Sequence, residues 1–267
     1  MQKHILQTNL NRIIVTEMEK PAVIIAARMG STRLPGKSLS EIQGTPMIEQ
    51  LVRRVRHSDI VGPIILATTV SREDDVLVRW ATNLGLGCYR GSVFDVLGRL
   101  ASAVEHFELN YFIEILGDNP LVHHSLIDAS WALFKSLSVD YVATLTNEYP
   151  GVPSSFRRFP IGVRVQIMRR EAILKCNELA VDESHREHAT TFIAENPEIF
   201  PRAFVEAKNE FEYLNRPDLN FAVNTERNLL LVKKIFRDLG GKQINFSLDQ
   251  VVNYLSKNRD LLALMGN

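Results

Sequence analysis

The chain has 267 residues, with 31 Lys and Arg balancing 31 Asp and Glu, and 45% of it is hydrophobic. That is ample material for a core, in one large domain or two small ones. With zero net charge nothing suggests a nucleic-acid coat or a polybasic membrane anchor, and no window approaches the apolar length needed to span a bilayer.

Residues 1–20 contain Asn, Thr, Glu and Lys and lack the apolar core of a signal peptide. They read as an N-terminal extension, disordered or packed on the surface. Ala22–Ala27 follows as a short apolar run with the character of a buried strand. Arg28-Met29-Gly30-Ser31-Thr32-Arg33-Leu34-Pro35-Gly36-Lys37 then crowds two Gly, a Pro and three cations into one turn. Glycines let backbone N–H groups converge on an anion while Arg and Lys neutralise its charge, which is how a triphosphate is gripped after a parallel strand. A P-loop is excluded. Gly30 and Gly36-Lys37-Ser38 enclose five residues rather than four, and Gly44 and Pro46 delay the next helix. A basic surface loop is the plain alternative.

Thr45 is expected to cap a helix with Pro46 at its first position and Met47, Ile48, Leu51, Val52 and Val55 as its buried stripe. Ile64–Thr69 reads as the second strand. Ser71 with Asp74 resembles a capping box for a helix carrying Val76, Leu77, Trp80, Ala81 and Leu84, which Gly85 stops. A short strand near Gly87–Tyr89 leads to Arg90-Gly91. A helix over about 93–107 precedes the apolar strand Tyr111–Leu116, which ends in Gly117-Asp118-Asn119-Pro120. A helix over about 125–137 and a strand at Tyr141–Thr146 come next.

Residues 147–165, rich in Pro, Arg, Ser and Phe, read as loops and an excursion from the sheet. Helices at about 169–180 and 185–195, a returning strand at Phe221–Val223, and helices at about 226–239 and 248–264 close the chain. This alternation argues for an α/β fold, a mostly parallel sheet with helices on both faces.

In such a sheet ligands bind beyond the carboxyl ends of the strands. Asp118, directly after an apolar strand, is placed to hold Mg²⁺ against phosphate oxygens, with a turn or capping role as the alternative. Asp95 and Arg99 are one helical turn apart, as a surface pair or as brackets for a base or ribose. Arg157, Arg158 and Arg164 suit an anionic ligand or form a solvated face. Zinc is disfavoured at His185 and His188, which lack the H-E-x-x-H spacing, and no nucleophile elbow appears. Cys88 and Cys176 cannot form a metal site alone and read as free thiols of a reducing cytosol.

With these residues assembled, the chain resembles the CMP-KDO-synthetase-like cytidylyltransferases, in particular the spore-coat polysaccharide branch related to the acylneuraminate cytidylyltransferases. The likeness runs from about Val23 to Leu230. It is carried by Ala27–Lys37, Ala67-Thr68-Thr69, Glu73-Asp74-Asp75, Arg90-Gly91-Ser92, Asp95-Val96-Leu97, Gly117-Asp118-Asn119-Pro120-Leu121 and Arg186-Glu187-His188. The resemblance implies a Rossmann-like nucleotidyltransferase fold with a small protruding lobe. It would form a single domain over 21–267, with about 147–205 as the acceptor or dimerisation lobe.

It further implies a cytoplasmic homodimer that activates a sugar acid with CTP and Mg²⁺ for surface polysaccharide biosynthesis. Arg28, Lys37 and Asp118 would be catalytic. Ala26, Ala27, Arg28, Gly30, Ser31, Arg33, Lys37, Thr68, Arg90, Asp95 and Arg99 would bind nucleotide. Asn147, Arg157, Arg164, Arg186 and His188 would meet the acceptor, and Asp118 and Asn224 the metal.

Two departures stand out. Where the family usually has a V-D-T-P-E-D-like segment, this chain has Val223-Asn224-Thr225-Glu226-Arg227-Asn228, so an expected aspartate is Asn224. Where relatives commonly read Gly-x-Asp near a proline, this chain has Gly162-Val163-Arg164. Asn224 keeps open a catalytically impaired nucleotide-binding protein of the same fold. A nucleotide-sugar glycosyltransferase is disfavoured by the absence of D-x-D.

Overall fold

The computed structural model describes residues 20–149, 152–240 and 245–266; the N-terminal extension, up to residue 19, lies outside them. Its frame is a seven-stranded sheet made of β1 (Ala22–Ala26), β4 (Ile64–Thr69), β5 (Gly87–Gly91), β6 (Tyr111–Leu116), β7 (Tyr141–Thr144), β8 (Gln166–Arg169) and β9 (Arg202–Val205). The order across the sheet is β5-β4-β1-β6-β8-β7-β9. Every pairing is parallel except those of β8, which runs antiparallel to β6 and β7.

Strand β1 shows why the sheet is the core. Val23 and Ile25 pack into one apolar cluster and Ala22 and Ile24 into a second, because alternate side chains leave opposite faces. Helices α1 (Met47–Val55), α2 (Asp75–Asn83), α4 (His124–Ser136), α8 (Glu226–Gly240) and α9 (Leu248–Lys257) cover the first face. Helices α3 (Val96–His106), α5 (Arg170–Leu179), α6 (Glu183–Glu187) and α7 (Thr191–Glu195) belong to the other side, where α3, α5 and α7 bury apolar residues. Met47, Ile48, Leu51, Val52 and Val55 are all fully buried, so truncating Leu51 to Ala should cost about 2–5 kcal/mol. Among the described residues, no helix is long and apolar enough to cross a membrane.

Several element boundaries differ from the sequence reading. Thr45 does not cap α1, because Thr45–Pro46 (β3) pairs with Glu41–Ile42 (β2) and Pro46 itself stands at the N-cap. Gln43 and Gly44, both at positive φ, make the two-residue turn that closes this ribbon. Ser71 and Asp74 form no capping box. Arg72–Asp74 is a short 3-10 turn and α2 starts at Asp75. Helix α3 starts at Val96 because the Asp95 carboxylate takes the Gly98 amide at 2.8 Å.

The region expected as one helix over 185–195 is the two short helices α6 and α7. Phe221–Val223 is no strand. Asn220 forms an isolated bridge to Ile161, and the Phe221 and Val223 amides bond to the carbonyls of Ile161 and Asp118. Strands β8 and β9 had no counterpart in the sequence reading.

Candidate active site

Strands β1, β4 and β6 end at one edge of the sheet, as their registers Ala26↔Ala67 and Ala26↔Leu116 require. The loop after β1 starts at that edge. Its Gly36 amide bonds back to Met29 O at 2.9 Å, and Gly36 takes a φ of 73° to turn the chain into Lys37. Asp74 sets the loop's origin, accepting from the Met29 amide at 2.7 Å and the Thr69 amide at 3.1 Å, as well as from the Thr69 hydroxyl. This fully buried carboxylate therefore ties the end of β4 to the loop after β1.

The result is a cavity of about 280 Å³ lined by Ala26, Ala27, Arg28, Ser31, Thr32, Arg33, Lys37, Ser38, Arg99, Asp118, His188 and Asn224, among others. Arg28 is anchored through Nη1 on Val93 O at 3.0 Å. Arg99 is buried, and its Nη1 donates to Ser92 O at 2.5 Å while its Nε is buried without a partner. Burial, and after it the charge of Arg28, lowers the Arg99 pKa from its ordinary value. Two guanidiniums brought together in this way, one with an unused donor, form a site that an anion would stabilise.

Opposite them, Lys37 Nζ donates to Asp118 Oδ2 at 2.7 Å, Val223 O at 2.8 Å and Asn224 Oδ1 at 3.1 Å. Asp118 Oδ1 is buried without a hydrogen-bond partner. The turn carrying Asp118 is held from below by fully buried Arg54, which donates to Val122 O at 3.1 Å and Phe246 O at 3.2 Å. Burial lowers the Arg54 pKa to about 9. Asn224 arrives through a close approach at Gly162, whose φ is 90° and whose absent Cβ would collide with the Phe221–Ala222 backbone.

A second cavity of about 420 Å³ adjoins the first and shares Arg33, Asp118, His188 and Asn224 with it. Glu114, Glu148, Arg164 and Thr190 belong to its further wall. Arg164 donates to Glu148 Oε1 at 3.3 Å and keeps a buried, unpartnered Nε. Burial disfavours its charge, but Tyr149, Glu148, Tyr141 and Glu114 outweigh that and raise its pKa. Behind it Gln166 donates to Glu114 at 2.8 Å and accepts from Tyr141, Tyr149 and Thr190 at 2.6, 3.1 and 2.6 Å. Burial pushes the Glu114 carboxyl up, partly offset by Arg164 and Arg99.

The structure thus gathers Ala26, Ala27, Arg28, Ser31, Arg33, Lys37, Arg99, Asp118, His188 and Asn224 into the first cavity and adds Arg164 in the second. Gly30 is on the loop but turns toward Glu73, and Thr68 is buried within β4. Arg90 faces away: its donors go to Thr69 O, Ser71 O and Asp75, so it fastens the end of β4 to α2. Asp95 pairs with Arg186 instead of Arg99, and Arg186 also donates to Asn177 O, so both clamp α3 to α6 at the cleft's border. Asn147 and Arg157 line a different cavity, of about 620 Å³, with Ser154, Phe156 and Asn215.

Sequence reasoning missed Asp74, Arg54 and Glu114 as site-builders. Asp74 stood out only within Glu73-Asp74-Asp75 and as a capping residue, and Glu114 only as a carboxylate inside the apolar run Tyr111–Leu116; Arg54 carried no signal.

The chain matches a family described as cytidylyltransferase over residues 22–250. The spore coat polysaccharide biosynthesis protein SpsF of Bacillus subtilis is 26% identical over 242 residues, covering 89% of this chain and 94% of that protein. The 3-deoxy-manno-octulosonate cytidylyltransferase of Agrobacterium fabrum is 33% identical over 138 residues, 49% of this chain and 53% of the relative. Among solved structures, a cytidylyltransferase from Leptospira borgpetersenii shares the fold with a TM-score of 0.79 at 23% identity, covering 91% of this chain and 96% of that one. The chain therefore belongs to the cytidylyltransferase family of CTP-dependent nucleotidyltransferases.

Proposed function

We propose that this protein transfers CMP from CTP to an oxygen of an anionic sugar, releasing pyrophosphate, in the synthesis of a surface polysaccharide precursor. The observation that carries this reading is the convergence of Arg28, Arg33 and Arg99 in a cavity that opens into a second one bearing Arg164. The first suits a triphosphate and the second a carboxylate-bearing acceptor of the kind the Agrobacterium relative's name states. The acceptor oxygen would form a bond to the α-phosphorus as the bond from that phosphorus to the bridging oxygen breaks. Pyrophosphate leaves and the acceptor's proton is released. The protein would contribute positioning and charge neutralisation, with no covalent nucleophile required.

Mg²⁺ fits the donor set of Asp118 and Asn224, since Asp118 keeps an unpartnered buried oxygen and the cation commonly takes one or two protein oxygens plus phosphates. Its chemistry there would be to offset charge on the phosphates. Arg28 and Arg99 would orient the polyphosphate, while Asp74 keeps the loop in register.

Incubation with CTP, Mg²⁺ and a panel of acidic sugars should release pyrophosphate with at least one acceptor. CTP should also raise the melting temperature more than ATP, GTP or UTP. A larger shift with UTP or a purine nucleotide would overturn the cytidylyl assignment. Asn224 favours a second reading, a nucleotide-binding protein with impaired turnover. It would be supported if the wild type turned over no acceptor and Asn224→Asp restored activity.

A further inference from the structure

Lys37 is in a different state from the other cations of the cleft. An ammonium has three donors, and here all three go to protein oxygens: Asp118 Oδ2, Val223 O and Asn224 Oδ1, at 2.7, 2.8 and 3.1 Å. No donor remains for a phosphate. The oxygens it holds are a carboxylate, a main-chain carbonyl and an amide, the hard donors that a divalent cation takes. Asp118 Oδ1 adds a buried fourth with no hydrogen-bond partner.

We infer that Lys37 is a built-in placeholder cation, its ammonium and a divalent ion contesting the same oxygens, so that the ion enters only together with a nucleoside triphosphate. This rests on the cytidylyltransferase reading and goes beyond it. The charge balance explains the exclusion. Among the described residues Asp118 is the one carboxylate touching Lys37, and the amide at 224 adds no charge, so the pair is already neutral. A divalent ion arriving alone would meet an ammonium at close range and no net negative charge to hold it.

A triphosphate reverses this balance. It brings several negative charges and its own oxygens, giving the ammonium an alternative partner beside Arg28 and Arg99. The exchange needs little backbone motion. The ammonium sits on a flexible four-carbon stem, while the loop stays fixed by Gly36 and the Met29 carbonyl. Metal and nucleotide are then coupled, each raising the other's affinity.

The test is Mn²⁺ binding, followed by electron paramagnetic resonance, to nucleotide-free wild type, Lys37→Met and Lys37→Met/Asp118→Asn, each confirmed as folded by circular dichroism. Lys37→Gln substitutes if the Met variant does not fold. Wild type should bind weakly, and Lys37→Met more tightly by roughly tenfold or more. The double variant should lose the gain, which locates the ion on the Asp118 oxygens. If nucleotide-free wild type binds Mn²⁺ as tightly as Lys37→Met, or the variant binds more weakly, the placeholder role is overturned. CTP titrated into the same wild-type sample separates the two claims. Normal CTP binding with unchanged Mn²⁺ affinity sinks only the Lys37 inference, whereas failure to bind CTP sinks the nucleotide reading as well.

Discussion

The carboxylate of Asp74 accepts the Met29 amide at 2.7 Å across 45 residues of sequence. Through that bond and those to Thr69, a side chain that touches none of the proposed ligands fixes where the loop proposed to bind the triphosphate begins. Asp74→Ala would leave two amides and a hydroxyl without their acceptor in a buried setting. It should destabilise the protein by about 2–4 kcal/mol and weaken CTP binding, while Asp74→Asn should be milder. Urea midpoints and calorimetric titration check this, and an Asp74→Ala variant as stable as wild type would contradict it.

Arg28 and Arg99 converge on one cavity, and Arg99 keeps an unused buried donor. Arg28→Ala and Arg99→Met should therefore weaken CTP far more than CMP, by a few kcal/mol for a desolvated charge-assisted contact. Equal losses for both nucleotides in calorimetry would place the polyphosphate elsewhere.

Acid should act through His123, which caps α4 with Nδ1 against the Ser125 amide at 3.3 Å and the Ser125 hydroxyl at 2.8 Å. Burial first, then the charges of Arg54, His124 and His57, lower its pKa from 6.5 to about 3. Between those values the unfolded chain binds a proton that the fold refuses, so stability falls as pH falls through this window. His123→Asn should flatten that part of the urea-midpoint profile. An unchanged slope would remove His123 as the cause.

Gly162 lets residues 161–162 pass against the 221–222 backbone, and that approach delivers Val223 and Asn224 to Lys37. Gly162→Ala should cost several kcal/mol, combining a positive φ with a backbone collision. Melting close to wild type would show that the approach can relax.

Much of the cleft was legible in the sequence because its chemistry is local. The Arg28–Lys37 loop and Asp118 each follow an apolar strand directly, and in a parallel sheet such positions share an edge. What could not be read was direction. Arg90 and Arg99 are both cations near the end of β5, but only the fold shows that Arg90 turns to the carbonyls of Thr69 and Ser71 and Arg99 into the cleft. Strand β9 is half-buried and four residues long, too short to establish a period. Strand β8 lies beside α5 in one unbroken stretch, and its edges come from pairing with β6 and β7. Asp74 looked like a helix cap because capping and loop-tethering use the same side chain, and only tertiary contact distinguishes them.

In the proposed reaction an acceptor held in the second cavity attacks the α-phosphorus of CTP. CTP radiolabelled at that phosphorus, incubated with Mg²⁺ and acidic sugars, tests it most directly. The label should appear in a cytidylylated sugar while unlabelled pyrophosphate accumulates, and Asp118→Ala should abolish both. Label that stays in CTP, or appears only as free CMP whatever the acceptor, would contradict the account.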